Sequence, residues 1–534
     1  MTHNILLRGG DLVDGTGAKS AFRADVLVAG ERIAAIGLDI DVAESTEIID
    51  VTGRVVCPGF IDLHSHADFT LIAFPGADSA IRQGITTVAV GNCGGGVAPS
   101  SKQFDVREVA FAFNSEWGID IDWSGFGEYT THLDGAAINV APLVAHGAIR
   151  SAAMGLEARP ATPAELASME TMLRAALDDG AFGMSTGLQY LPGSWASAAE
   201  IRSLVEIVGR SGRTYATHMR NRADSFMSST REALDAAQRT DARLQVSHFA
   251  PRPYAPPAQV EGAFTLIDEA VAAGQPVGVD TFPEVWGPAL LVDLFPADVM
   301  TGTVSAVLQR LSDESTRAHI DSYFDEGSAF LARVAGYEQI YLTGIGVASD
   351  RIGRSLTELA ATAGKTVGQA SCDILLEAAH HYRAVGVRHI YATEDDLRRT
   401  LQLPYCSIES DGIVTSGEGA DCPLTWNASS YGYTARVLEH YVGNERFFKL
   451  EEAIHKMTQL PAEALGLESR GVLAVGNHAD IVVFDPESIS DRTTPDDMAR
   501  HPVGIEHVLV NGHLAIGRSL ESGPPVRAGR LLQP

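Results

Sequence analysis

The chain has little positive charge and no long run of apolar residues. Its 534 residues include 40 Lys and Arg against 68 Asp and Glu, which gives a formal net charge of −28. A face that binds nucleic acid or an anionic membrane needs cations, so this balance argues against both partners. No stretch of about 18 apolar residues predicts a membrane span. The opening MTHNILLRGGDLVDGTG lacks the cationic and apolar segments of a secretion signal.

Cysteine is also scarce. The five cysteines are Cys57, Cys93, Cys372, Cys406 and Cys422. An odd and sparse set does not form a disulfide framework, so we predict a reducing compartment and a cytoplasmic protein. A chain of this length buries a sufficient core without disulfides, and 45% apolar residues is typical of a globular protein.

The two ends of the chain have similar residue patterns. ILLRGGDLVDG and ADVLVAGERIAAIG near the start, and GVLAVGNHADIVVFD and IEHVLVNGHLAIG near the end, place β-branched residues between Gly or Asp breakers. We therefore predict a small β-sandwich domain assembled from both termini, residues 1–57 and 470–534.

The middle of the chain, residues 58–469, alternates short apolar strands with helical stretches such as 163–180 and 225–239. This alternation predicts βα units around a parallel sheet. Eight strand candidates lie at 55–66, 85–93, 139–147, 181–188, 214–220, 243–250, 275–283 and 405–412. Eight is the strand count of a TIM barrel, so the predicted class is α/β with a (β/α)8 barrel. The stretch from about 288 to 345 is too long for a loop and predicts an inserted subdomain or lid between strands 7 and 8.

Metal-binding residue types stand at the ends of five of these strands. His64 and His66 close the first strand, where residues two apart project to the same face. The other candidates end the second, fifth, sixth and eighth strands: Cys93, His218, His248 and Asp411. A single such residue is more often structural than a ligand. The C-terminal ends of barrel strands face one mouth, however, so the joint pattern predicts a shared metal site.

Several strings in the sequence resemble one known family. GFIDLHSHAD, GITTVAVGNCG, FGMSTGLQYLPG, YATHMRN and SDG are similar to the amidohydrolase superfamily and, within it, to the D-aminoacylase (N-acyl-D-amino-acid deacylase) family. The similarity covers nearly the whole chain, including both β-rich ends. In many amidohydrolases a carboxylated lysine on the fourth strand bridges two metals. The fourth strand here, AFGMSTGL, has no lysine, and Cys93 resembles the substitute used by the D-aminoacylase group.

The resemblance implies hydrolysis of the amide of a small-molecule substrate, an N-acyl-D-amino acid. It implies one tightly bound zinc held by Cys93, His218 and His248. It also implies a second, weaker site at His64, His66 and Asp411. Thiolate and imidazole are preferred zinc ligands, and zinc lowers the pKa of bound water from 15.7 towards roughly 7. Asp411 is the candidate general base and acid, accepting the water proton and returning it to the leaving amine.

Two further residues are candidates for substrate binding. Arg220 lies two residues after His218, where a guanidinium could hold a substrate carboxylate with two hydrogen bonds. By resemblance, Tyr190 lines the substrate site. The chain departs from the family after the sixth-strand histidine, where Arg252 stands near the family's usual lysine, and again in DTFPEVWGPALL and in the segment after SDG. The metal chemistry is thus expected to be kept and the substrate pocket altered.

Other functions remain open at this point. The altered segments leave room for another linear or cyclic amide or a D-residue peptide as substrate, although the missing fourth-strand lysine counts against a hydantoinase-like centre. A scaffold protein on an inactive amidohydrolase fold is a further alternative, which the presence of all six ligands disfavours. No pattern in the sequence indicates an oligomeric state.

Overall fold

The computed structural model describes residues 4–101, 117–327, 330–344, 349–422, 426–517 and 523–534. The predicted terminal and inserted regions also contain residues 1–3, 328–329, 345 and 518–522, which lie outside the described residues. Within the described ranges, no helix combines the length and the apolar character that crossing a bilayer requires.

Twenty strands lie within the described residues. Many are short and rich in Val and Ile, such as ITTVAV and IVVF, and β-branched residues favour the pleated backbone. The strands are β1 (Asn4–Leu12), β2 (Phe22–Ala29), β3 (Arg32–Gly37), β4 (Glu47–Asp50), β5 (Val55–Pro58), β6 (Phe60–Asp62), β7 (Ile85–Val90), β8 (Asn139–Pro142), β9 (Val144–Ala145), β10 (Gly183–Gly187), β11 (Thr214–His218), β12 (Arg243–Val246), β13 (Val277–Thr281), β14 (Trp286–Leu290), β15 (Tyr341–Thr343), β16 (Gly386–Ile390), β17 (Cys406–Ile408), β18 (Ile481–Phe484), β19 (Ile505–Val510) and β20 (His513–Ile516).

Sixteen α-helices lie in the same ranges. They are α1 (Thr70–Ala73), α2 (Asp78–Ile81), α3 (Phe126–Thr130), α4 (His146–Met154), α5 (Pro163–Asp178), α6 (Ala198–Arg210), α7 (Phe226–Ala237), α8 (Pro257–Ala272), α9 (Val304–Ser312), α10 (Glu314–Asp325), α11 (Leu356–Ala363), α12 (Val367–Ala378), α13 (Glu394–Leu401), α14 (Ser429–Arg436), α15 (Leu450–Met457) and α16 (Gln459–Leu465). The start of α5 shows how the sequence sets a boundary. The Thr162 hydroxyl accepts from the Glu165 amide, the Glu165 carboxylate accepts from the Thr162 amide, and Pro163 occupies the first turn.

Parallel strands form the centre of the molecule. β6, β7 and β8 make one parallel sheet, and β9 to β13 followed by β17 make a second. Each of the eight predicted strand ranges contains at least one of these nine strands, and the range 139–147 contains both β8 and β9. A parallel bridge between Ser65 and Gly412 links the residues that follow β6 and β17. Strands β7, β10 and β11 are buried along their whole length, as expected when helices cover a parallel sheet.

The chain termini share one mixed sheet. Its order is β20-β19-β18-β5-β1-β2-β3, with β4 also pairing with β1. The first half of β1 runs parallel to β4 and the second half parallel to β5, and the pairing with β2 is irregular between Leu7 and Gly10. Hydrogen bonds between β5 and β18 therefore join strands from both ends of the chain in one sheet, and the folding of this sheet into a β-sandwich stays a prediction.

A separate unit lies between β13 and β17. Its antiparallel sheet has the order β14-β16-β15, and its own apolar core includes residues from Leu291 to Val387. The segment predicted as an insertion, 288–345, covers only the first part of this unit. The full extent of the inserted unit could not be predicted from the sequence, because β16, which is distant in the chain from β14 and β15, pairs with both of them.

Candidate metal centre and adjoining chamber

The structure brings the six predicted metal ligands together, and all six side chains are buried. The Cys93 Sγ lies 3.1 Å from His64 Nε2, 3.4 Å from His248 Nε2 and 3.7 Å from His218 Nδ1. Four soft or borderline donors thus face one another, which is the donor chemistry that zinc prefers.

A carboxylate completes the cluster on the other side of His64. Asp411 Oδ1 lies 3.1 Å from His66 Nε2 and 3.6 Å from His64 Nε2. The donor atoms of His64, Cys93 and His248 are close enough to hold one ion, and those of His64, His66 and Asp411 are close enough to hold another. His64 belongs to both groups and lies nearer to the thiolate than His218 does. The division of the ligands between two sites therefore stays a prediction.

Three of these residues have a backbone that ordinary side chains avoid. Cys93, His248 and Asp411 have φ angles of 52°, 36° and 43°. Such conformations in residues other than glycine cost about 1–3 kcal/mol each and cluster at functional sites. These three backbone conformations therefore lower the stability of the fold, and they direct the three side chains into the site.

Hydrogen bonds to their carbonyl groups hold the strained residues in place. The Tyr190 hydroxyl donates to Cys93 O at 2.8 Å, and the Tyr391 hydroxyl donates to His248 O at 2.5 Å. The indole of Trp426 donates to the carbonyl of Asp411 at 3.0 Å. Each donor comes from a different part of the chain, so the geometry of the site depends on the whole fold.

The electrostatics of the site favour charged ligands. Burial opposes ionisation of the Cys93 thiol, but the neighbouring His64 and His248 hold its pKa well below the ordinary value. Burial likewise opposes the charge on Asp411, yet the hydrogen bond from His66 and the charges of the histidines lower its pKa to about 2. A thiolate and a carboxylate are the forms that bind a metal.

Two residues that the sequence did not point to orient the ligand rings. Gln189 Oε1 lies 3.1 Å from His218 Nε2, and Asp280 Oδ1 lies 3.3 Å from His64 Nδ1. Asp280 also accepts the backbone N–H of His248 at 2.6 Å. Partners of this kind fix which ring nitrogen is available to a metal. Asp280 could have been found in the sequence, because a carboxylate is unusual within an apolar strand such as VGVDT. Gln189, in GLQY, has no sequence feature that marks it as a functional residue.

Two connected cavities open over the ligands. The inner one, about 50 Å3, is lined by His66, Cys93, His218, His248 and Asp411 among others. The outer chamber, about 330 Å3, shares six lining residues with it: Gln189, Tyr190, Arg222, Arg252, Leu290 and Asp293. The outer chamber therefore adjoins the metal centre and has the volume of a small-molecule site.

The structure places both predicted substrate residues at the chamber wall. Tyr190 lines both cavities, and its ring meets that of His218 edge to face at 4.8 Å between centroids. Arg220 lines only the outer chamber. Its guanidinium forms an ion pair with Glu232 at 2.9 Å and donates to the carbonyls of Ser194 and Ala196. The substrate role of Arg220 stays a prediction, since its charge already has a protein partner.

A second arginine, Arg222, was missed in the sequence because MRNR has no distinctive spacing. One of its Nη atoms donates to the carbonyls of His248 and Ala250, at 2.9 and 3.1 Å. Its guanidinium stacks over the ring of Tyr391 at 4.7 Å. The residue is 3% exposed and lines both cavities, so it brings a buried positive charge close to the metal ligands.

Arg252, at the departure from the family pattern, also lines both cavities. His389 of the inserted unit has its Nδ1 2.7 Å from the Ile390 carbonyl and its Nε2 3.2 Å from Arg252. The first contact requires a proton on Nδ1, so Nε2 accepts the hydrogen bond from Arg252. Burial, reinforced by Arg222, lowers the pKa of Arg252 to about 9, which leaves it charged at neutral pH. The inserted unit thus helps to position a cation at the inner wall.

Comparisons with known proteins match this chain to amidohydrolases, and the matches to individual proteins extend over nearly its full length. The sequence model of a family described as "Amidohydrolase family" matches residues 47–278 and 407–516. N-acyl-D-glutamate deacylase of Alcaligenes xylosoxydans xylosoxydans is 34% identical over 533 residues, covering 99% of this chain and 96% of that protein. D-aminoacylase of the same organism is 31% identical over 511 residues, covering 95% and 93%.

A solved structure is similar over its whole length. N-acyl-D-glutamate deacylase of Bordetella bronchiseptica, in complex with zinc and a phosphonate inhibitor that mimics the tetrahedral intermediate, superimposes with a TM-score of 0.80. It is 30% identical, and the match covers 100% of both chains.

Proposed function

This chain belongs to the amidohydrolase family and is similar throughout to D-aminoacylases, and on that basis we propose that it is a zinc-dependent deacylase of N-acyl-D-amino acids. The observation that carries the proposal is the contact of the Cys93 sulfur with three imidazoles, beside the carboxylate of Asp411. Such an arrangement has little structural purpose without a metal, since it concentrates buried polar groups at strained backbone positions.

The residues present fit a zinc ion. Cys93, His218 and His248 would hold the tightly bound ion, and His64, His66 and Asp411 would form the second, weaker site. A bound zinc supplies Lewis-acid polarisation of the amide carbonyl and a water whose pKa is lowered to about 7. The lowered pKa of the Cys93 thiol favours the thiolate, which is the form of the sulfur that binds a metal.

Asp411 is the proposed general base and acid. Its pKa of about 2 keeps it ionised at neutral pH, and its Oδ1 lies at the inner cavity, 3.1 Å from His66 Nε2. The carboxylate would take a proton from the attacking water and deliver it to the nitrogen of the leaving amine. Proton transfer of this kind contributes about 10²–10⁴-fold to the rate.

The walls of the inner cavity suit an amino acid with a free carboxylate. Arg222 and Arg252 place positive charge there, and charged donors bind carboxylates more strongly than neutral donors do. Tyr190 and Arg220 are proposed to contribute further substrate contacts from the adjoining wall. The acyl group would then project from the scissile amide into the remaining space. We propose the cytoplasm as the site of action, since the cysteines form an odd and sparse set.

A release assay tests this function. Purified protein would be given paired N-acetyl-D- and N-acetyl-L-amino acids, and a cyclic amide such as hydantoin, each with added zinc or after chelation. We expect release of free amino acid from D substrates, lost on chelation and restored by zinc. Hydrolysis of the cyclic amide alone, or full activity after complete metal removal, would contradict the proposal.

A further inference from the structure

The backbone of Asp411, the proposed general base, lies outside the regular sheet of the barrel. Strand β17 ends at Ile408, three residues before Asp411. The φ angle of Asp411 is 43°, in a region that residues other than glycine rarely occupy. Its backbone N–H donates to the Glu409 carboxylate. The direction of the Asp411 side chain therefore depends on contacts that other side chains make with its two peptide groups.

Two neighbouring side chains bind the carbonyl oxygen of Asp411. The indole Nε1 of Trp426 donates to this oxygen at 3.0 Å, and Nδ2 of Asn427 donates to it at 3.1 Å. Trp426 is 4% exposed and Asn427 is 6% exposed. A buried carbonyl that loses a donor is left partly unsatisfied, so these bonds stabilise one orientation of the peptide group that follows Asp411.

The two donors differ in their other contacts. Asn427 also donates to the Ser410 carbonyl at 2.8 Å, and its Oδ1 accepts the Ser430 N–H at 3.0 Å near the start of α14. An indole has a single N–H, and that of Trp426 goes to Asp411. Trp426 is therefore the residue whose polar group serves Asp411 alone.

The ring of Trp426 lies between the inner cavity and the inserted unit. It lines the inner cavity, and its centroid is 6.3 Å from that of the His66 ring. It also belongs to a small apolar cluster with Ala384, against which Leu290 packs. Ala384 and Leu290 come from the inserted unit. Packing against this unit therefore holds the indole that binds the carbonyl of Asp411.

We propose that Trp426 is a positioning residue for Asp411, whose indole N–H keeps the carboxylate directed at the reacting water and amine. The inference rests on the proposed deacylase function and on the role of Asp411 in it. Trp426 would act through Asp411 and not on the reacting atoms. A displacement of about 1 Å at a reacting group lowers a rate by about 100-fold. Because Asn427 still donates to the same oxygen, loss of the indole N–H is expected to lower kcat by about 10-fold.

Two substitutions of Trp426 separate the N–H from the packing of the ring. Trp426→Phe removes the N–H and reduces the ring, whereas 3-benzothienylalanine, introduced at position 426 alone, keeps the bicyclic shape and lacks the N–H. We expect both proteins to lose about 10-fold in kcat for the N-acetyl-D-amino acid that the wild type hydrolyses fastest. KM and the content of tightly bound zinc are expected to stay at the wild-type values.

Trp123 provides the matched control. It is 3% exposed, and its Nε1 donates to the Val97 carbonyl at 2.7 Å. Trp123 is not among the described residues that line either cavity. Trp123→Phe thus removes the same kind of hydrogen bond away from the reacting groups. We expect it to keep the wild-type kcat, while denaturant titrations report the loss of stability in both phenylalanine variants.

The outcomes separate the positioning role from the proposed function. Wild-type kcat in the benzothienylalanine protein would overturn the role of the N–H, whether or not Trp426→Phe is folded and active. An equal fall of kcat in Trp123→Phe would overturn it too, because the effect would then be a general one of losing a buried tryptophan. Both results leave the deacylase function intact. Failure of the wild type to hydrolyse any N-acyl-D-amino acid would instead overturn the proposed function.

Discussion

Replacing Gln189 with leucine tests whether the hydrogen bond between Gln189 and His218 fixes the orientation of the His218 ring. The amide oxygen of Gln189 lies 3.1 Å from His218 Nε2, while His218 Nδ1 faces the Cys93 sulfur at 3.7 Å. Leucine is similar in size and cannot accept this hydrogen bond. Loss of such a partner typically lowers metal affinity 10- to 100-fold, which corresponds to about 1.4–2.8 kcal/mol.

The affinity is measured by competition between the protein and a chromophoric zinc chelator at fixed pH. Gln189→Glu, which keeps an acceptor, is expected to stay within a few fold of the wild type. Gln402→Leu changes an exposed glutamine and serves as the control. If Gln189→Leu binds zinc within twofold of the wild-type affinity, the positioning role of Gln189 is wrong.

Two further predictions concern buried charges. Glu200→Ala is expected to lower the free energy of unfolding by about 3–5 kcal/mol, because it leaves the fully buried Arg150 without its carboxylate, whereas Glu206→Ala removes an exposed pair and should cost under about 1 kcal/mol. Denaturant titrations of both variants at pH 7 check this, and similar losses would refute it. Burial raises the pKa of Asp293 to about 6, so this chamber residue is neutral below that pH and negatively charged above it. The KM of the wild type for N-acetyl-D-glutamate is therefore expected to rise roughly tenfold between pH 5 and pH 7.5, and Asp293→Asn should flatten this rise; matching profiles for the two proteins would contradict the assignment.

The positions of the metal ligands could be predicted from the sequence because they follow from the periodicity of single strands and from the geometry of parallel sheets. Residues two apart in an extended segment share a face, and parallel strands end at a common edge. The sequence predicts that His64 and His66 close the first strand, whereas β6 ends at Asp62 and both histidines lie just beyond it. Cys93 and Asp411 stand just beyond β7 and β17, where that rule places them. Their left-handed backbone was not predictable, since neither is a glycine and each conformation depends on contacts from other parts of the fold.

The remainder of the site depends on contacts between distant segments. The hydrogen bond from Arg252 to His389 joins residues 137 positions apart, and it exists because β16 pairs with β14 beside the chamber. No periodicity in the sequence reveals that pairing. The same limitation explains why the sequence did not predict that the inserted unit extends beyond residue 345.

Metal analysis of the wild type and of Cys93→Ala tests the central claim most directly. Gently purified protein would be analysed for zinc per folded chain by mass spectrometry, with Cys372→Ala, a buried cysteine of the inserted unit, as the control. We predict about one tightly held zinc in the wild type and in the control, and its loss together with hydrolytic activity in Cys93→Ala. Unchanged zinc content in Cys93→Ala, or an active wild type without metal, would contradict the account.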